Sequence, residues 1–247
     1  MSLTFLSAEW RDLVMLNYPV ERALLEPLVP PGVELDDFAS TTYVSVVGFM
    51  FLRTRVFGFG FPFHRNFEEV NLRFYVRHHA PDGWRRGVVF VKEIVPRRAI
   101  AFLARTFYGE PYSAFPMSHA IERTNEELSC RYSWRRNGRE ETVSAWATGA
   151  PKLVTPGSLE EFITEHYWGY TARRGECAQY QVEHPPWRVW SATHSRFEAD
   201  VASLYGPEFV APLSVPPASA FIAEGSPVIV RRGSRLESTL LRSDQLA

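Results

Sequence analysis

Lysine is almost absent from this chain. Its 247 residues include 27 that are lysine or arginine, and only Lys92 and Lys152 are lysines. A codon bias towards arginine accounts for such a ratio without any functional cause, but the count still limits the available chemistry. Covalent catalysis through an imine requires a lysine amine, so only these two residues can support it.

Cysteine and long apolar segments are also scarce. The two cysteines, Cys130 and Cys177, have no CxxC spacing, which predicts reduced thiols and a cytoplasmic protein. Charged residues at Glu9, Arg11 and Asp12 interrupt any apolar core of a signal peptide, and no segment approaches about 18 uncharged apolar residues. We therefore expect neither a secretion signal nor a membrane-spanning segment.

A strong net charge and the common nucleotide and metal motifs are missing too. The formal net charge is -1 and the pI is near 6.7, which provides no field to steer nucleic acid or an anionic membrane. No Walker loop, dinucleotide fingerprint, HExxH motif or Gly-x-Ser-x-Gly elbow occurs. We expect no cofactor, no metal, no nucleic-acid partner and no membrane partner.

The composition that remains is that of an ordinary globular protein. Hydrophobic residues make up 45% of the chain and charged residues 22%, which is enough apolar material for one core. No low-complexity linker divides the sequence. We expect a single domain over residues 1–235 and a flexible C-terminal tail over residues 236–247.

Strand patterns outnumber helix patterns. The turn pairs Asp82-Gly83 and Asn137-Gly138 predict hairpins, and Ser158 with Glu161 forms a capping box that predicts a helix. Apolar and alternating segments predict strands at about 13–18, 41–52, 69–77, 87–95, 126–136, 142–150, 179–182 and 189–197. Short strands with two or three helices indicate an α+β domain of mainly antiparallel β, built as a curved sheet or a barrel.

Phenylalanine and glycine alternate from Phe57 to Phe63. The glycines and Pro62 disfavour a regular central strand, so we expect a loop that lays aromatic rings over an apolar surface. That surface is either the core of the protein, which we favour, or a bound ligand.

The segment from Glu69 to Arg77 is the best site candidate that the residues themselves indicate. Glu69, Asn71 and Arg73 share one face of the predicted strand. On an outward face these side chains are simply solvated, whereas inside a barrel they form a buried cluster suited to an acidic or carbonyl substrate. Lys92 lies on an otherwise apolar strand, where burial would depress its pKa, although such lysines more often reach solvent from a sheet edge.

Several motifs together resemble a known superfamily over residues 5–230. They are Trp10-Arg11-Asp12, the turn at residues 28–32, the strand start at residues 67–71, the segment from Arg105 to Ser113, and His184-Pro185-Pro186-Trp187. In order and spacing the chain resembles the acetoacetate-decarboxylase-like superfamily, in its uncharacterised branch that is known as a domain of unknown function.

The resemblance implies a closed, cone-like β-barrel with an internal cavity and a few peripheral helices, often in a homo-oligomer. In the decarboxylase a lysine, activated by a neighbouring lysine, forms a Schiff base with a β-keto acid. Position by position, Arg11 matches an arginine of that cavity and Glu69 a glutamate, while the two lysines fall on Tyr112 and Ser113. A tyrosine cannot form an imine, so the resemblance predicts a cavity without the family's covalent mechanism.

Three functional hypotheses follow from these residues. The favoured one is a barrel that binds a small anionic or carbonyl-containing molecule, such as a keto acid, with Arg11, Glu69 and Tyr112 converging on one pocket. The second is a decarboxylase or aldolase that uses Lys92, and the third is a non-catalytic receptor or partner-binding module. The candidate residues are Glu69 and Tyr112 for catalysis, and Arg11, Asn71, Arg73, Ser113 and Lys92 for ligand binding.

Overall fold

The computed structural model describes residues 3–62, 64–96, 111–173 and 175–236. Some of the sequence predictions fall partly beyond these ranges. Residues 105–110 of the decarboxylase-like segment lie outside the described residues, and so do residues 237–247 of the predicted tail. Leu236, the first residue of that tail, is buried and donates its backbone N–H to the Cys177 carbonyl.

Strands dominate the described chain, and the helices are short. The strands are β1 (Thr4–Val20), β2 (Glu34–Leu35), β3 (Thr42–Val56), β4 (Phe67–Ala80), β5 (Gly83–Val95), β6 (Tyr112–Ala114), β7 (Met117–Arg123), β8 (Glu127–Arg136), β9 (Arg139–Thr148), β10 (Lys152–Leu153), β11 (Trp168–Arg173), β12 (Glu176–Glu183), β13 (Arg188–Glu198), β14 (Ser219–Arg231) and β15 (Ser234–Arg235). The helices are α1 (Arg22–Leu25), α2 (Leu159–Thr164), α3 (Val201–Tyr205) and α4 (Val210–Leu213), with 3₁₀ turns at Glu26–Leu28 and Pro207–Phe209.

Seven strands close into a ring in the order β12, β11, β5, β4, β3, β1 and β14. The ring closes because β12 pairs with β11 on one side and with β14 on the other. Its pairings are antiparallel except that between β11 and β5, and β6 adds a second parallel pairing at the end of β5. The expected α+β fold of mainly antiparallel β is confirmed, with a mixed rather than purely antiparallel sheet.

A second group of strands extends the sheet beyond the ring, in the order β13, β9, β8 and β7. Its side chains Tyr132, Trp134 and Val143 pack in one core cluster with Val46 and Leu72 of the ring. Because an apolar layer is buried between the ring and this extension, the ring strands are covered on their outer face as well.

Gly48 permits the close contact between these two layers. A Cβ at this position would lie 2.8 Å from the Tyr132 ring and 2.9 Å from the Val143 side chain. Only a residue without a side chain lets β3 approach β8 and β9 so closely.

Turn and capping chemistry is where the sequence predicted the structure most directly. Asn137 and Gly138 both have positive φ, as a two-residue hairpin turn requires, and Arg136 pairs with Arg139 across it. At the start of α2 the Ser158 side chain accepts a hydrogen bond from the Glu161 backbone N–H. These signals are local, so tertiary packing does not override them.

The long strand β14 was not predicted, and its composition explains why. Gly225 and Pro227 interrupt its apolar pattern, and both residue types are rare inside central strands. Gly225 has φ 76°, and a Cβ there would meet the Trp10 carbonyl oxygen at 2.0 Å. The glycine therefore serves the close approach of β14 to β1. Strands β7 and β11 were also missed.

No helix in the described part of the chain has the length and apolar character needed to cross a membrane.

Candidate functional site

A cavity of about 260 Å³ lies inside the ring. All seven ring strands contribute to its wall, which is mainly aromatic and aliphatic. Its apolar members include Trp10, Leu13, Val47, Phe49, Phe51, Phe67, Val88, Phe90 and Trp187. A wall of this kind favours the apolar body of a small organic molecule, because binding removes that body from water.

One patch of the wall is polar and centres on Glu69. Glu69 is 3% exposed, and its Oε1 accepts a hydrogen bond from Asn71 Nδ2 at 3.0 Å. The hydroxyl of Tyr112 donates to Glu69 Oε2 at 3.2 Å. Both carboxylate oxygens are therefore held by side-chain donors, which orients the Glu69 carboxyl group inside the cavity.

Strand register brings this patch together. Glu69 and Asn71 are two residues apart on β4 and so face the same side. Across β5, Glu93 lies opposite Asn71, and Tyr112 of β6 lies beside Glu93 in the parallel pairing. Glu93 is 1% exposed and also lines the cavity.

The sequence did not single out Glu93, and a bulge explains the omission. Leu72 pairs with Lys92 and Arg73 pairs with Phe90, which leaves Val91 as the extra residue. The bulge breaks the simple alternation along β5, so Phe90 and Glu93 both reach the cavity. A carboxylate on an otherwise apolar strand was the one available signal.

Arg73 places a guanidinium at the same wall. Its Nη2 donates to the Ile163 carbonyl at 3.2 Å, and its Cζ lies 5.7 Å from the centre of the Tyr75 ring. Among the lining residues that the structure describes, Arg73 is the one with a permanent positive charge. It is therefore suited to hold the carboxylate of a ligand.

Three of the predicted ligand-binding residues do not line the cavity. Arg11 bonds instead to the Glu9 carboxylate at 2.9 Å and to the Gly225 carbonyl at 3.2 Å. Its neighbour Trp10 takes the inward position on β1. Of the three residues expected to converge, Glu69 and Tyr112 are in contact, whereas Arg11 bonds elsewhere.

Lys92 and Ser113 face the apolar layer between the ring and its extension, which we call the outer core layer. Lys92 lies opposite Leu72 and Ser113 lies beside Ile94, and both of those partners pack in the cluster between the ring and its extension. Cross-strand neighbours share a face of the sheet, so both side chains point away from the cavity. Lys152 is exposed on the short strand β10.

A buried histidine and aspartate form a second polar feature, which sequence reasoning missed. His166 lines the cavity, and its Nε2 lies 3.3 Å from Asp36 Oδ2. Burial lowers the pKa of His166 to about 4, against the opposing effect of the Asp36 hydrogen bond. Burial would raise the pKa of Asp36, but the hydrogen bonds from His166 and Arg86 outweigh it and lower that pKa to about 2. His166 is therefore neutral and Asp36 ionised at neutral pH.

His184 is another lining residue with a lowered pKa. Its ring stacks on Trp187 with 4.2 Å between centroids, and burial lowers its pKa to about 4. The motif that includes His184 and Trp187 therefore contributes a flat aromatic surface to the cavity wall.

The aromatic loop after β3 borders the same cavity. Phe61 and His64 are among its lining residues, whereas Phe59 is 72% exposed and is not among them. The Phe57 ring packs edge-on against Phe5. Phe57 thus packs on the protein and Phe61 borders the cavity, while both rings stay partly exposed, at 41% and 51%. Phe63 lies outside the described residues.

No group of three or more histidine, cysteine, aspartate or glutamate residues within the described ranges is arranged to hold a metal ion. Cys130 and Cys177 are buried free thiols.

Solved structures define the class of fold. The chain is similar to acetoacetate decarboxylase from Legionella pneumophila, with a TM-score of 0.64 and 12% identity over 96% of this chain and 88% of that one. It is similar to the enduracididine biosynthesis enzyme MppR complexed with pyruvate, with a TM-score of 0.66 and 13% identity over 96% and 91%. An acetoacetate decarboxylase-like enzyme from Sphingomonas wittichii RW1 gives 0.62 and 14% over 94% and 93%. The fold is that of the acetoacetate decarboxylases.

The family follows from sequence. The chain belongs to DUF2071, a family described as uncharacterized conserved proteins, whose model matches residues 7–227. It is 30% identical over 187 residues to the uncharacterized protein YqjF of Bacillus subtilis (strain 168), which covers 74% of each chain. The expected membership of a family of unknown function and the expected likeness to the decarboxylase fold are both confirmed.

Proposed function

We propose that this protein binds a small carboxylate or carbonyl compound in the ring cavity without forming an imine. The observation that carries the proposal is the hydrogen bond from Tyr112 to Glu69. The Tyr112 side chain, which cannot form an imine, occupies the place where the resemblance expects the Schiff-base lysine. The surrounding wall is mainly apolar, so this polar patch decides how a ligand is oriented.

Arg73 supplies the charge complement for a carboxylate. Its guanidinium lines the cavity together with Glu69 and Asn71, and it replaces Arg11 in the role that the resemblance suggested. The complex of MppR with pyruvate, a keto acid, supports this ligand class by likeness of fold.

The absence of imine chemistry rests on where the two lysines lie. Lys92 points away from the cavity into the outer core layer, and Lys152 is exposed on β10. An imine needs an amine within bonding distance of the ligand carbonyl, which neither position offers. The predicted cytoplasmic location and homo-oligomeric state stay predictions.

The test is native mass spectrometry of the protein with a panel of keto acids, with and without borohydride. The proposal expects a reversible mass shift and no adduct that borohydride makes permanent. A trapped adduct on Lys92 would contradict it and favour the lysine-dependent decarboxylase or aldolase. If no member of the panel forms a complex, the proposed class of ligand is wrong.

A matched pair of arginine variants tests the anchor. Arg73→Gln removes the cation and is expected to weaken carboxylate binding by about tenfold or more, because a hydrogen bond to a charged group is lost. The methyl ester of the same ligand has no carboxylate and should bind the native protein and the Arg73→Gln variant with equal affinity. Arg11→Gln is the control and should leave the affinity unchanged, since Arg11 bonds to Glu9 and Gly225 outside the cavity.

The orientation of Glu69 supports a second candidate function, which is proton transfer at the carbon next to a ligand carbonyl. The carbon–hydrogen bond would break, its proton would pass to the Glu69 carboxylate, and its electron pair would form the carbon–carbon double bond of an enolate while the π pair of the carbonyl moves onto oxygen. The Tyr112 hydroxyl would turn from Glu69 to donate to that oxygen. Solvent deuterium appearing in a bound keto acid, and lost in Glu69→Gln, would identify an enzyme. Binding without exchange would identify a receptor.

A further inference from the structure

We propose that His166 forms a second polar subsite in the cavity, which accepts a hydrogen bond from a ligand hydroxyl, so that the preferred ligand is a hydroxy acid. This inference rests on the proposed function and narrows its ligand class. It concerns a residue that the resemblance to decarboxylases does not assign to the cavity.

The ring of His166 is held in one orientation. It lies at 4.7 Å from the Tyr75 ring and 5.0 Å from the Phe162 ring, measured between centroids. Asp36 approaches its Nε2, and Asp36 itself accepts a hydrogen bond from Arg86 Nε at 2.7 Å. The His166 side chain is 1% exposed, so packing leaves it little freedom to rotate.

This orientation fixes which ring nitrogen can accept a hydrogen bond. An ionised carboxylate only accepts, so Nε2 carries the proton that faces Asp36. In a neutral imidazole the other nitrogen, Nδ1, then has a bare lone pair. The His166 ring borders the cavity, and its Nδ1 is buried, with no group that donates to it within the described ranges.

Whereas His166 provides an acceptor, Arg73 provides a hydrogen-bond donor. Its Nε is buried and likewise has no acceptor among the described residues. Arg73 Cζ lies 5.7 Å and the His166 ring 4.7 Å from the centre of the same Tyr75 ring, so the two side chains lie in the same region. Leaving such groups unsatisfied is costly.

The two atoms together select for a ligand that has both an acceptor and a donor. A keto acid in its keto form offers acceptors only, so it can satisfy Arg73 Nε but not His166 Nδ1. A hydroxy acid offers a carboxylate to Arg73 and a hydroxyl proton to His166. The low basicity of His166 makes it an acceptor that positions the ligand and not a base that removes a proton at neutral pH.

The experiment uses three ligands with the same carbon skeleton and calorimetric titration of the full chain. They are 2-hydroxy-3-phenylpropanoate, 2-methoxy-3-phenylpropanoate and 3-phenylpropanoate. The hydroxy acid is expected to bind about tenfold tighter than the other two, which is the worth of one hydrogen bond to a buried acceptor. Equal affinity of all three would overturn the hydroxyl subsite while leaving the proposed function intact. Binding of none would overturn both.

A pair of histidine variants assigns the effect to one residue. His166→Phe keeps the ring packing and removes Nδ1, so it should abolish the preference for the hydroxy acid without weakening 3-phenylpropanoate. His194→Phe is the control and should retain the preference, because His194 packs on Trp146 and is not among the lining residues of the cavity. A preference that survives in His166→Phe would overturn the assignment.

Nitrogen NMR of histidine-labelled protein tests the subsite in the native chain, so no variant is needed. The Nδ1 resonance of His166 should shift in the direction of a hydrogen-bonded nitrogen when the hydroxy acid is added and should stay in place with 3-phenylpropanoate. The same shift with both acids would contradict the subsite.

Discussion

Tyr112 shows how one residue changes the chemistry that a fold can perform. The side chain points into the cavity and bonds to Glu69, as a lysine at this position would do. A phenol donates a hydrogen bond but does not attack a carbonyl to form an imine. Under the proposed function, Tyr112 would therefore orient a ligand and form no imine with it.

Restoring a lysine at this position should restore imine formation. Tyr112→Lys is expected to yield a borohydride-trapped adduct with a keto acid, because its amine would lie inside the cavity within reach of a bound ligand. The adduct should increase with pH, since the Glu69 carboxylate favours the ammonium form of the lysine. Mass spectrometry of the tryptic peptides would locate the adduct. Ser113→Lys is the matched control, since Ser113 lies beside Ile94 on the opposite face and should give none. Equal adducts in both variants would contradict the assigned faces.

Whole elements place these residues, and β4 is the clearest example. Its alternation predicted one polar and one apolar face, and both faces are buried: Val70 and Leu72 pack in the outer core layer, while Glu69 and Asn71 face the cavity. A ring of strands covered on the outside leaves no solvated face at this point.

Two phenylalanines of the loop between β3 and β4, Phe59 and Phe61, are expected to respond differently to substitution by alanine. Phe61→Ala should weaken a ligand with an apolar body by about fivefold, because a lining ring that contributes apolar area is lost. Phe59→Ala should have no effect, since Phe59, which is 72% exposed against 51% for Phe61, is not among the described lining residues. Titration of both variants with 3-phenylpropanoate measures the difference. A comparable loss in the two would mean that the loop acts through its conformation.

At the scale of the whole molecule, buried histidines couple the fold to pH. His166 and His184 have pKa values lowered from 6.5 to about 4, so the unfolded chain binds protons at a higher pH than the folded chain does. The free energy of unfolding therefore falls as the pH drops from the unfolded to the folded value. The depressed pKa of Asp36 acts in the same direction at lower pH, where its stabilisation is lost as the pH falls from 3.8 towards about 2.

Denaturant unfolding should reveal this dependence. Between about pH 7.5 and about pH 5, the free energy of unfolding is expected to fall by on the order of 2 kcal/mol for each of these histidines. His184→Phe keeps a ring against Trp187 and removes one titrating group, so the fall should be smaller by that share. A variant with the same pH dependence as the native chain would show that His184 is not among the groups responsible.

The sequence by itself determined the strand-rich class, the hairpin turns, the helix cap and the alternating strand that carries Glu69, Asn71 and Arg73 on one face. These follow from side-chain alternation and backbone preferences within a few residues. It also predicted Tyr112 in the cavity, through resemblance. Only the tertiary structure decided that Arg11 and Lys92 lie outside the cavity and that Glu93 and His166 lie inside it. The physical reason is that a side chain's direction, towards the cavity or away from it, depends on the bulge at Val91 and on closure of the ring. The local sequence pattern predicts neither of these features.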